Sequence, residues 1–171
     1  KPGQSKWEYF TVYEGEGRYI SLVAAAGKVH VSFHDGAGDR LVYMVAEESA
    51  LAAGVWDEVT VDDDDGDPGR YSSLAVDKNG KVHISYWNKA LNDLLYATNS
   101  SGQWTHSVVA GKDLVEGEEE RIGQFSSMFL DESGSAHIAT YNETFERLEY
   151  VTNSGGGWKR TVVDESKPQI G

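Results

Sequence analysis

Apolar and aromatic residues in this chain fall in short runs bounded by Gly, Asn, Asp and Ser, and no segment sustains a helical apolar period. The runs recur. Gly17-Arg18-Tyr19-Ile20-Ser21-Leu22 lines up with Gly69-Arg70-Tyr71-Ser72-Ser73-Leu74 and Gly123-Gln124-Phe125-Ser126-Ser127-Met128, their glycines 52 and 54 residues apart. Each is followed by a turn and a second run: Gly27 to Phe33, Gly80 to Tyr86, and Gly134 to Tyr141. Third runs begin at Leu41, Leu94 and Leu148, and fourth runs at Trp56, Trp104 and Trp158. All read as strands, because Val, Ile, Tyr, Phe and Thr dominate them. Asn79-Gly80 suits the left-handed backbone of a tight hairpin. Residues 45–54, with four alanines, fit a short helical turn.

Four antiparallel strands repeated every fifty or so residues describe the blade of a β-propeller. The fold expected is therefore all-β, one partial propeller domain over 1–171, with blades at 17–61, 69–109 and 123–163. Trp7–Val12 matches the fourth-run pattern and is expected to be an outer strand of a preceding blade. Lys167–Gly171 resembles the start of another. Closed propellers have about four to eight blades, so three imply a ring completed by a second chain or by additional blades.

The repeat resembles those of the sialidase-like, Asp-box-like propellers. That family carries Ser-x-Asp-x-Gly-x-x-Trp on the turn between third and fourth strands. Thr98 to Trp104 and Thr152 to Trp158 keep the Gly and Trp but lack the Asp. The resemblance implies ligand binding on the face bearing the fourth-to-first and second-to-third loops. A sialidase would also need three arginines at inner-strand starts. Arg18 and Arg70 stand there, but the third repeat has Gln124.

Composition narrows the classes. The chain has no cysteine, which excludes disulfides, thiol catalysis and cysteine-bound zinc. A net charge of -13 argues against nucleic-acid binding. No apolar run is long enough for a membrane-spanning helix.

Candidate chemistry gathers on the loop face. Tyr13–Glu16, Asp62–Pro68 and Gly111–Glu120 are acidic loops there, favouring cations and basic partners. Asp62, Asp64, Asp65 and Asp67 supply the hard oxygens Ca2+ takes, although their spacing matches no EF-hand, and the run also reads as a solvated linker. His30, His83 and His137 recur once per blade, which argues for structure, with inter-blade hydrogen bonds expected. Ser21, Ser73 and Ser127 are expected to let inner strands converge, and no nucleophile elbow surrounds them. His34, Trp87 and Tyr141 close the second strands beside polar loops, where rings could stack on sugars or pack between blades. With Arg18, Arg70 and Gln124 they form the candidate ligand site. Tyr19, Tyr71 and Phe125 read first as inter-blade packing. No catalytic set is assigned. The function expected is a non-enzymatic module binding glycan or protein, extracellular or at the cell surface. The alternatives are a fragment of a sialidase-like hydrolase or lyase, and a purely structural repeat protein with a calcium staple.

Overall fold

The structure is a computed structural model and describes residues 9–111 and 120–164. Each expected run is a strand: β1 (Gly17–Ala25), β2 (Lys28–Asp35), β3 (Arg40–Glu47), β4 (Asp57–Asp62), β5 (Arg70–Val76), β6 (Val82–Asn88), β7 (Asp93–Thr98), β8 (Thr105–Ala110), β9 (Ile122–Leu130), β10 (Ala136–Asn142), β11 (Arg147–Thr152) and β12 (Lys159–Asp164). They form three four-stranded antiparallel sheets in which sequence neighbours pair: β1–β4, β5–β8 and β9–β12. The helical turn is a 3-10 turn at Glu48–Ala53, ended by Gly54 in the left-handed conformation. These are β-propeller blades. No helix among the described residues is long and apolar enough to cross a membrane.

The chain-terminal expectations fare differently. Trp7, Glu8 and Lys167–Gly171 lie outside the described residues. Among the described residues, Tyr9–Val12 form no strand. Instead Val12 and Tyr13 lie on the face of the first sheet, with the Tyr13 ring 4.6 Å from that of Phe33.

The turns follow from side-chain chemistry. Asp77 Oδ1 accepts the backbone N–H of Asn79 and of Lys81, both at 2.8 Å, and Gly80 takes φ +75°. Asp131 Oδ1 does the same for Ser133 and Ser135. Such short carboxylates mimic a backbone turn and fix the hairpin register.

Neighbouring sheets touch chiefly through their first strands, β1 on β5 and β5 on β9. Each first strand carries a bulge: Tyr19 and Ile20 oppose one residue of β2, and Tyr71 and Ser72 one residue of β6. The bulge frees a carbonyl from its own sheet, and the next sheet caps it. Ser72 Oγ donates to the Tyr19 carbonyl at 2.8 Å, and Ser126 Oγ to the Tyr71 carbonyl at 3.1 Å. In return Ser21 Oγ accepts Leu74 N–H and Ser73 Oγ accepts Met128 N–H, each at 3.0 Å. Small polar residues on the inner strands are thus the fasteners between blades. Gly69 and Gly123 belong to the same seam, since a Cβ on either would stand 2.9 Å from the Cα of Leu41 or Leu94.

Apolar layers fill the gaps. Leu41, Tyr43 and Val61 of the first sheet meet Leu74, Ile84, Tyr86 and Leu95 of the second. Leu94, Tyr96 and Val109 meet Met128, Ile138 and Val151 of the third. The repeated histidines act within a blade rather than between blades, correcting the expectation. The Tyr43 hydroxyl and His30 Nδ1 are hydrogen-bonded at 2.6 Å, and Tyr96 and Tyr150 pair likewise with His83 and His137. The link between blades is the tyrosine so held: Tyr43 packs on Trp104 at 5.4 Å and Tyr96 on Trp158 at 5.0 Å.

Candidate functional site at the inner-strand mouth

The bulged residues that begin the inner strands are aromatic in every sheet. Tyr19, Tyr71 and Phe125 have φ of 55°, 53° and 54°, a left-handed conformation that bulky side chains rarely adopt. The bulges set the rings in a row, 4.5 Å from Tyr19 to Tyr71 and 4.6 Å from Tyr71 to Phe125. Tyr19 and Tyr71 are half-buried and Phe125 is exposed. Burial and a hydrogen bond with the Tyr19 hydroxyl push the Tyr71 phenol up from its ordinary range. The row therefore presents the neutral Tyr71 hydroxyl and ring faces at physiological pH.

Charged side chains frame the row. The Arg70 guanidinium lies 5.9 Å from the Tyr19 ring and pairs with Asp67 at 2.6 Å, which holds its own protonation constant up. Asp67 also faces His34 Nε2 at 3.1 Å and Lys89 at 3.6 Å. At the third sheet Gln124 donates to Glu143 at 3.0 Å, and Arg121 pairs with Glu143 at 3.2 Å. Arg18 is exposed and pairs with Glu16 at 2.9 Å. The mouth is thus acidic by composition, but arginine or lysine answers Asp67, Glu143 and Glu16 beside the row.

The sequence-derived ligand residues divide by access. Arg18 and Tyr141 are exposed, and Arg70 and Gln124 are partly so. His34 and Trp87 are buried. His34 donates from Nδ1 to the Pro68 carbonyl at 3.0 Å, and its ring stands 6.2 Å from that of Tyr19. Trp87 stands 6.1 Å from Tyr71. These two rings back the aromatic row instead of facing solvent. The residues in front, Tyr19, Tyr71 and Phe125, are those that read first as packing. What could have marked them is the shared Gly-x-aromatic start of each repeat.

The Asp62–Asp67 run does not turn its carboxylates to one point. Asp62 is buried and takes the Tyr86 hydroxyl and the Asp64 N–H. Asp64 faces His106 at 3.1 Å, Asp65 is exposed, and Asp67 faces His34 and Asp39. Two donor sets could hold a metal, Asp62–Asp64–His106 and His34–Asp39–Asp67. Each joins two carboxylates to an imidazole, short of the six to eight oxygens Ca2+ prefers. At the second, Arg70 and Lys89 already supply the positive charge. Lys112–Glu119 of the third acidic loop lie outside the described residues.

The turns that resemble the Asp-box region use asparagine as a staple. Asn99 Oδ1 accepts Val82 N–H at 2.8 Å, and Asn153 Oδ1 accepts Ala136 N–H at 2.7 Å.

Solved structures share this fold at low identity. A protein of unknown function from Dyadobacter fermentans DSM 18053 aligns with a TM-score of 0.62 and 11% identity, over 91% of this chain and 58% of its own. A GH62 hydrolase in complex with xylotriose aligns at 0.54 with 14% identity, over 88% and 52%. A bifunctional GH43-CE protein of Bacteroides eggerthii aligns at 0.53 with 14% identity, over 86% and 19%. The chain therefore spans less than two thirds of the length of each. At such identities the likeness is one of fold alone. No protein-family model and no curated protein sequence matches the chain.

Proposed function

We propose that the chain is a carbohydrate-binding propeller module whose ligand lies across the Tyr19–Tyr71–Phe125 row. The observation that carries this reading is the row itself. Glycine would meet the backbone requirement of each bulge at no steric cost, yet each position holds a large ring, and the three rings lie in a row. Flat rings suit the CH faces of sugars. Arg70, Gln124 and the phenol hydroxyls supply hydrogen bonds to ring-edge hydroxyls. A glycan ligand fits a place outside the cell or at its surface.

Titration calorimetry against xylo-, arabino- and sialyl-oligosaccharides tests the reading. Binding is expected in at least one series, weakened at least about tenfold, or 1.4 kcal/mol, in Tyr71→Ala. A blank across the panel, or binding untouched by Tyr71→Ala, overturns it.

A second reading is part of a glycoside hydrolase, and the likeness to GH43 and GH62 folds favours it. Such chemistry requires two carboxyl groups flanking the bond, one of them protonated. Asp67 and Glu143 are the carboxylates beside the row, and each is ion-paired. Release of reducing sugar by the purified chain would support this second reading.

A further inference from the structure

We infer that two copies of this chain join by laying the third sheet of one on the first sheet of the other, twice over, to close a ring of six sheets. The argument starts from the two seams already present. In both, Leu and Val of the earlier sheet are buried against the later one: Leu41 and Leu94 at 0% exposure, Val61 at 8% and Val109 at 2%. The third sheet repeats the same residues, but among the described residues no further sheet lies on them, and Leu148 is 42% and Val163 59% exposed. At the other end, Ile20 and Leu22 are 65% and 61% exposed, while their counterparts Ser72 and Leu74 are 9% and 4%.

The two open faces fit each other in chemistry as well as position. At the existing seams a hydroxyl meets a hydroxyl, Ser32 with Ser72 at 3.0 Å and Ser85 with Ser126 at 3.2 Å. The repeat register places Ala139 and Ile20 at the two halves of a third such contact. Both hydroxyls are replaced by apolar groups, so this side-chain pair leaves no hydroxyl unpaired, although Ile20 cannot cap the Phe125 carbonyl as Ser72 and Ser126 cap those of Tyr19 and Tyr71. The aromatic link repeats too. Trp104 rests on Tyr43 and Trp158 on Tyr96, which leaves Trp56 to meet Tyr150 of the partner. Gly17 completes the set. A Cβ there would meet only the Phe33 and Tyr13 rings, at 3.4 Å or more. Its counterparts Gly69 and Gly123 must be glycine because the preceding sheet's backbone lies against them. A twofold axis repeats the contact and closes the assembly.

Docking requires one displacement. Val61–Asp62 of the first sheet lie against Tyr86 of the second. By the same register, the partner's Val163–Asp164 would lie against Phe33, where Val12 and Tyr13 now pack. Val12 and Tyr13 therefore cover this part of the face in the single chain and leave it in the pair.

The chain has no cysteine, so Ile20→Cys with Ala139→Cys reports the contact directly. Light scattering of the unaltered chain is expected to give twice 18.8 kDa. The double cysteine variant is expected to run as a covalent dimer on oxidation. Ala139→Arg and Gly17→Ala, both open positions in the single chain, are expected to give monomers with an unchanged circular dichroism spectrum. Tyr13→Ala, which loosens the covering segment, is expected to tighten association. A monomer of the unaltered chain, a ladder of cross-linked species beyond the dimer, or a dimer indifferent to Ala139→Arg overturns the proposal. A Tyr13→Ala chain that associates no more tightly overturns the displacement.

Discussion

The phenol of Tyr86 donates to the carboxylate of Asp62 at 2.6 Å across the seam between the first and second sheets, with both residues buried. The corresponding second-strand positions hold Phe33 and Thr140, so the contact belongs to one seam alone. Burial, then the Asp62 charge, push the phenol well above its ordinary range, and it stays a donor. Tyr86→Phe keeps the ring and strands a buried carboxylate oxygen. The expected loss is about 1–3 kcal/mol of unfolding free energy, read from urea denaturation at neutral pH, with the strand signature in circular dichroism unchanged.

His83 sets a pH dependence. Burial lowers its imidazole below the ordinary value, and the nearby Asp77 charge opposes this only in part. The fold therefore holds it neutral, while the unfolded chain accepts a proton as pH falls through about 6.5. Stability present above that pH is lost as pH falls toward the folded value. His30 is lowered by burial in the same way. The urea midpoint is expected to fall between about pH 7.5 and 5.5, and His83→Gln to flatten that slope relative to its own value at the upper end.

A buried charge cluster singles out the third sheet. Glu149 and Glu120 are at most 2% exposed and share Arg160, which reaches Glu120 through two bonds of 2.5 and 2.6 Å and also pairs with Glu149. Arg147 adds a bond to Glu149 at 2.6 Å. Burial alone would raise the Glu149 carboxyl, but the two arginines hold it below its usual range. Arg160→Met leaves two buried carboxylates short of their counter-charge and is expected to cost about 3–5 kcal/mol at neutral pH. A lowered carboxyl contributes stability above the unfolded value of about 4.3 and loses it as pH falls below. The difference between variant and parent is therefore expected to shrink in denaturation series carried toward pH 3–4.

The strands were legible because each repeat spells the same four runs, and Ser21 and Ser73 stood where inner strands converge, while Ser127 is exposed. The histidines were legible as structural but not in their direction. Sequence spacing does not tell whether an imidazole faces its own sheet or the next, and a tyrosine on β3 or β7 decides it. Charge on the loop face was misleading for a similar reason. The count of acids was visible, but the return of Arg70 and Lys89 onto Asp67 is a matter of folding. The left-handed backbone at Tyr19, Tyr71 and Phe125 had no local marker. Tyr and Phe carry no preference for positive φ. The conformation goes with the bulge in all three sheets, and at Tyr19 and Tyr71 a serine of the next sheet fastens the freed carbonyl. Hence the sequence points to His34 and Trp87, and the rings in front of them read first as packing.

That same backbone gives a test separating a ligand role from a folding role. A non-glycine residue in this region costs of order 1 kcal/mol. Phe125 is 66% exposed, so its ring recovers little of that by burial. Phe125→Gly is expected to leave stability within about 1 kcal/mol of the parent, relief of strain offsetting the lost contact with Tyr71 and the added chain entropy of glycine. Ligand affinity should nevertheless fall at least about tenfold. Paired urea denaturation and calorimetric titration of the one variant decide it. If the ring serves only the sheet, stability falls and binding follows in proportion to the folded fraction. If the ring serves the ligand, the two measurements part.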